Sequence, residues 1–185
     1  MILYINACVR PDSRTRRIAE ALLEKLGGAY TERRLETEGL RPLDAQTLAQ
    51  RTERIARGDY SHPMFRYAKE FAEADTVVIA APFWDLSFPS LLKVWLEHIY
   101  VTGIVSRYSD EGIPVGLCRA RRLYYVTTAG GPYIPDFSYD CIAALAVRCF
   151  GIPQTELICA EGLDIVGNDA DAIVAETIAS LRTAL

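Results

Sequence analysis

The sequence predicts an α/β fold: one domain with a five-stranded parallel sheet covered by helices on both faces. Three observations predict it. Short apolar runs alternate with helical patterns along the whole chain, and that alternation builds right-handed βαβ units around one parallel sheet. The clearest run, Thr76-Val-Val-Ile-Ala-Ala81, is apolar almost throughout, as expected of a strand buried on both faces. The chain has 185 residues, 50% hydrophobic and 24% charged, which suits a single domain over 1–185 with a substantial core.

The elements follow in order. Ile2 to Asn6 is strand one. The next helix starts near Ser13, with Ser13 or Asp12 a good N-cap, and carries Ile18, Leu22 and Leu26 at a spacing of four, with Ala19 and Leu23 beside them. Tyr30 to Leu35 is a weaker, more polar strand two, and Asp44 to Arg57 is a polar surface helix before the Gly58-Asp59 turn. Phe65 to Ala74 is a helix with Ala68 and Phe71 inward; it feeds strand three, Thr76 to Ala81. Ser90 to Tyr100 is a helix carrying Leu91, Leu92, Trp95 and Ile99, with Trp95 read as core. Strand four is Leu123 to Thr127, then comes an alanine-rich helix, Tyr139 to Phe150, and strand five, Glu156 to Ala160. A last helix, Asp169 to Leu185, carries Ile173, Thr177 or Ile178, and Leu181. Five such strands suggest the order 2-1-3-4-5.

Composition excludes several functions. The net charge of -4 gives no basic footprint for nucleic acid. The five cysteines, Cys8, Cys118, Cys141, Cys149 and Cys159, form no C-x-x-C pair, and an odd count in a chain of this length argues against a disulfide framework. The two histidines, His62 and His98, make no metal-ligand cluster. No basic leader precedes the first strand, and no apolar run approaches the ~18 residues of a membrane span. The expectation is a cytoplasmic enzyme or binding protein.

In this strand order ligands bind beyond the carboxyl ends of strands one, three and four. After strand one, Arg14, Arg16 and Arg17 crowd the first helical turn with Arg10 nearby. That is the wrong end for positive charge, because the helix dipole is already positive there. A bound anion resolves the conflict: backbone amides, the Ser13 and Thr15 hydroxyls and a guanidinium converge on a phosphate. The alternative is a solvated face with Arg16 paired to Glu20. Neither G-x-x-x-x-G-K-[ST] nor G-x-G-x-x-G is present. After strand three, Pro82, Phe83 and Trp84 suit a flat aromatic ligand, or else cover a core edge or subunit contact. After strand four, Gly130-Gly131 allows close backbone approach, or is a plain turn. Cys8, close to the phosphate loop, is read as a buried inert thiol, with an activated thiolate as the alternative.

Taken together, these motifs resemble the flavodoxin-like NAD(P)H-dependent oxidoreductases, the family of quinone reductases and FMN-dependent azoreductases. Ser13-Arg-Thr15 is similar to the family's Ser-x-Ser/Thr phosphate loop. Pro82-Phe-Trp-Asp-Leu86, followed by Pro89-Ser-Leu-Leu-Lys93, resembles the segment along the isoalloxazine ring. Thr128-Ala-Gly-Gly131 resembles the turn at the pyrimidine end, and Gly103-Ile-Val-Ser-Arg-Tyr108 a stretch beside the active site. Two positions depart: Asp85 stands where Asn is usual, and Cys8 where a small hydroxyl residue often lies.

The resemblance implies a flavodoxin-like three-layer fold, bound FMN, and a homodimer with active sites at its interface. It also implies NADH or NADPH as donor and ping-pong hydride transfer to a small quinone, azo or nitro acceptor. The implied cofactor contacts are Cys8, Arg10, Ser13, Arg14 and Thr15; Pro82, Phe83, Trp84, Asp85 and Leu86; and Thr128, Ala129, Gly130, Gly131 and Tyr133. Tyr108 and Phe88 are the acceptor-pocket candidates. No dedicated catalytic side chain is expected, since the flavin carries the chemistry. The competing expectations are a flavodoxin-type electron carrier and a non-catalytic binding protein of the same fold.

Overall fold

The computed structural model describes residues 1–181. Five strands form the main sheet: β1 (Ile2–Asn6), β2 (Tyr30–Arg34), β3 (Thr76–Ala80), β6 (Arg122–Thr128) and β7 (Gln154–Ala160). Their order is β2-β1-β3-β6-β7, and every pairing is parallel. Counted within this sheet alone, that is 2-1-3-4-5. The two remaining strands, β4 (Ser106–Tyr108) and β5 (Pro114–Gly116), make a separate antiparallel hairpin between β3 and β6. Strands of three residues carry too little periodicity to be read from sequence.

The register fixes where a site forms. Asn6 pairs with Arg34 and Ala80, Ala80 with Val126, and Thr128 with Ala160. The carboxyl ends therefore lie along one edge. Side chains alternate across the sheet, so two cores form. Leu3, Ile5, Val77, Ile79, Leu123 and Tyr125 face α3 (Arg66–Glu73), α4 (Ser90–Ile99) and α5 (Tyr139–Leu145). Tyr4, Val78, Ala80, Tyr124 and Val126 face α1 (Arg14–Leu26) and α6 (Ala170–Ser180). In the first core Phe71 meets Trp95 and Phe150 edge-on, with ring centroids 5.6 and 5.1 Å apart. Trp95 is fully buried there, a packing residue.

α2 (Ala45–Ala56) buries no residue. It is anchored by Arg51, which donates to the carbonyl of Glu97 at 2.8 Å and to that of Tyr100. These groups end α4, where a cation suits the helix dipole. The expected helix from Tyr139 to Phe150 is α-helical only to Leu145. Ala146–Phe150 widens into a π turn and stops at Gly151, with φ 76°. A Cβ at Gly116 would run into the Gly151 backbone, so this turn and β5 come together backbone to backbone. The last helix stops at Ser180, and the expected stretch 182–185 lies outside the described residues. Among the described residues, no helix is long and apolar enough to cross a membrane.

Candidate functional site

A cavity of about 430 Å³ opens at the carboxyl edge of the sheet, within the usual size range of small-molecule sites. Its walls are the loops after β1, β3, β6 and β7.

The loop after β1 is fixed from below. Asn6 is buried; its Oδ1 accepts from the Cys8 amide at 3.0 Å, and its Nδ2 donates to Glu32 at 2.8 Å. Cys8 lines the cavity, but its Sγ lies 3.7 Å from the Ala80 carbonyl. Burial pushes the thiol up to about 11, against the lowering effects of Ser13 and Arg16. A thiol protonated at neutral pH is a poor nucleophile.

Ser13 caps α1, its Oγ accepting from the Arg16 amide at 3.3 Å. The first turn holds no acidic residue. Among the described residues, the Arg14 and Thr15 amides find no acceptor, as the orphan donors of a helix start require. The arginines divide. Arg16 pairs with Glu20 at 3.7 Å and also meets the Pro11 carbonyl. Arg17 reaches Asp171 on α6 at 2.9 Å. Arg10 and Arg14 line the cavity. The solvated-face reading thus describes Arg16 and Arg17, whereas Arg10 and Arg14 line the cavity. Thr15 is 1% exposed, and its Oγ1 lies 2.6 Å from Thr128 Oγ1.

Beyond β3 the chain keeps bonding to β6: the amides of Ala81 and Phe83 donate to Val126 and Thr128, each at 3.0 Å. Trp84 and Ser87 then exchange backbone hydrogen bonds at 2.9 and 2.8 Å. Between them Asp85 (φ 50°) and Leu86 (φ 64°) are both left-handed. This is the geometry of a two-residue type I′ turn, whose first position favours Asn or Asp. The turn conformation accounts for an Asp where Asn is usual. Asp85 and Leu86 are exposed and do not line the cavity; Pro82, Phe83 and Trp84 do. Phe88 packs at the border of the first core instead.

The loops after β6 and β7 are zipped together. The amides of Gly162 and Asp164 donate to Gly131 and Gly130 at 3.0 and 2.8 Å. A Cβ at Gly130 would strike the Asp164 carboxylate, whereas one at Gly131 would meet open space. Thr128, Ala129 and Gly130 line the cavity, and Gly131 does not. Tyr133 sits behind it, its ring edge-on to Phe83 at 4.9 Å and its hydroxyl 2.7 Å from Ser138 Oγ. Burial raises its phenol. Tyr108 is exposed on β4, outside the cavity. Val9, Asp12, Leu163 and Asp164 complete the walls; none of them was a sequence candidate. Leu163 and Asp164 follow a strand end, and that position was the available signal.

The arrangement offers orphan amides and two guanidinium groups for an anion, and an apolar wall for a flat ring. Among the described residues no group of three or more His, Cys, Asp or Glu could hold a metal ion.

The family model described as flavodoxin-like fold matches residues 1–185. An FMN-dependent NADH:quinone oxidoreductase of Clostridium acetobutylicum is 35% identical over 189 residues, covering 96% of this chain and 94% of that protein. An azoreductase of Bacillus anthracis superposes with a TM-score of 0.82 at 23% identity, over 96% of this chain and 94% of its own. An FMN-dependent NADH-azoreductase of the same species, solved in complex with FMN, superposes at 0.81 with 21% identity, over 96% and 93%.

Proposed function

Because the chain belongs to this flavodoxin-like fold family, we propose that it is an FMN-dependent oxidoreductase taking electrons from NADH to a quinone-type acceptor. The observation that carries this is the cavity itself, which joins an anion site to an aromatic wall at the strand ends. The curated relative's name favours an enzyme over an electron carrier, and names both FMN and NADH.

The residues fit that cofactor. The orphan amides of Arg14 and Thr15, with Ser13, Arg10 and Arg14 around them, suit a phosphate monoester at a helix N-terminus. Pro82, Phe83 and Trp84 form the wall for the ring. The amide of Gly130, which lines the cavity, has no acceptor among the described residues and can donate to a ring oxygen, stabilising negative charge there. Bound FMN supplies the hydride-transfer chemistry. The protein's part is to hold the phosphate, orient the ring and shield one side of it.

A homodimer belongs to the same proposal. Trp84, Leu86 and Phe137 are exposed apolar residues beside the cavity, and Ser87 Oγ donates to the Phe137 carbonyl at 2.8 Å, holding them together. An apolar rim of this kind suits a protein contact. Tyr108, outside its own chain's cavity, serves an acceptor pocket only across such a contact. All five cysteines are unpaired, which supports a reducing compartment, the cytoplasm.

The test is steady-state: purified protein supplemented with FMN should oxidise NADH when menadione is added. Absence of turnover with protein that binds FMN would leave the carrier reading instead.

A further inference from the structure

One ion pair crosses between two walls of the cavity. Arg14 Nη1 lies 3.4 Å from Asp164 Oδ1, 150 positions away in sequence. Both side chains line the cavity. Asp164 is fixed by its backbone, which donates to Gly130, and its carboxylate occupies the space a Cβ at Gly130 would need. Arg14 is a long side chain with 41% of its surface exposed. Asp164 is anchored at its backbone while 75% of its side chain is exposed, and the long guanidinium of Arg14 is free to turn away from it.

Arg14 therefore faces two anions: this carboxylate, and any phosphate at the start of α1. A phosphate monoester carries about -1.5 to -2 charges and three acceptor oxygens. At 3.4 Å the existing contact is long for a charge-assisted hydrogen bond. A phosphate there would compete with the carboxylate for Arg14.

We propose that Asp164 sets cofactor affinity: it engages Arg14 between two walls of the cavity and yields it to the phosphate of FMN. This rests on reading the cavity as an FMN site. Asp164 then opposes binding twice, by engaging Arg14 and by repelling the dianion. Both effects are electrostatic, so salt screens them. The pair is exposed, so its weight corresponds to roughly a two- to fivefold change in Kd.

The experiment is an FMN titration, followed by quenching of flavin emission, of the wild type, Asp164→Asn, Arg14→Gln and the double variant. It is run at low salt and at about 1 M, where the screening length is ~3 Å. Asn keeps the shape that packs on Gly130. Asp164→Asn should bind FMN roughly two- to fivefold more tightly at low salt. That gain should shrink in the Arg14→Gln background and disappear at high salt. Unchanged or weaker binding by Asp164→Asn, or a gain that persists at high salt, overturns the gate. A wild type that does not quench FMN overturns the FMN reading and the gate with it. A wild type that binds FMN with an indifferent Asp164→Asn overturns the gate alone.

Discussion

Thr15 Oγ1 and Thr128 Oγ1 lie 2.6 Å apart although their positions differ by 113 in sequence. The contact joins the first turn of α1 to the end of β6, and so ties the anion site to the turn beneath the ring wall. Each hydroxyl can give one proton, so one donates and the other accepts. Replacing either by Val leaves its partner unsatisfied at a nearly buried position. Thr15→Val and Thr128→Val should each cost about 1–3 kcal/mol of stability. Together they should cost less than the sum. Urea denaturation of the four proteins checks this; additive losses would show that the two hydroxyls act independently.

Gly130 is needed for a different reason from the one its sequence suggests. A Cβ there meets the Asp164 carboxylate rather than an open approach. Gly130→Ala should lower stability by about 1–3 kcal/mol through overpacking. Adding Asp164→Ala should recover part of that loss. Thermal melts of the single and double variants measure it, and no recovery would place the strain elsewhere.

Leu86 holds a left-handed backbone at φ 64°, which costs a side-chain-bearing residue about 1–2 kcal/mol. Leu86→Gly makes the turn Asp-Gly, a favoured type I′ pair. The unfolded state regains some entropy, so the net expectation is a gain of about 0.5–1 kcal/mol. The urea midpoint should rise with the slope unchanged; a fall would mean Leu86 packs against something that outweighs the strain.

Alkaline pH should weaken the fold. Burial raises the Cys8 thiol from 9.0 to about 11, and Cys118 and Cys159 to about 12. Folded-state values above the unfolded ones mean that the native state binds these protons more tightly. The stability they contribute is fully present below about pH 9 and lost as pH rises toward 11 to 12. Cys8 alone accounts for about 1 kcal/mol per pH unit over its window. Denaturation at pH 7.5 and 10 tests the direction, and Cys8→Ala should flatten the slope.

The sheet was legible because its central strands β1, β3 and β6 are buried on both faces, and the helices facing it because their apolar residues recur at spacing four. What escaped was local or distant. The β4–β5 hairpin has three-residue strands, and the π turn at Ala146–Phe150 shares the apolar pattern of an α-helix. The type I′ turn was hidden because Asp-Leu is not its usual pair. The three strand-end loops were readable from strand order, but that argument passed over the loop after β7 and with it Asp164. The division among the arginines was unreadable for another reason: Asp164 and Asp171 lie 150 and 154 residues from Arg14 and Arg17. The excess of positive charge near the start of the chain thus divides into Arg16 and Arg17, which pair outside the cavity, and Arg10 and Arg14, which line it.

In the proposed function the start of α1 holds the phosphate of FMN. The most direct measurement of this is equilibrium binding of FMN to the wild type and to the Ser13→Ala/Thr15→Ala double variant, with far-ultraviolet circular dichroism confirming that both are folded. The wild type should bind one FMN per chain. The variant's Kd should rise at least about tenfold, equivalent to ~1.4 kcal/mol. Equal affinity in two folded proteins would contradict it, and would leave Arg10 and Arg14 as a solvated face.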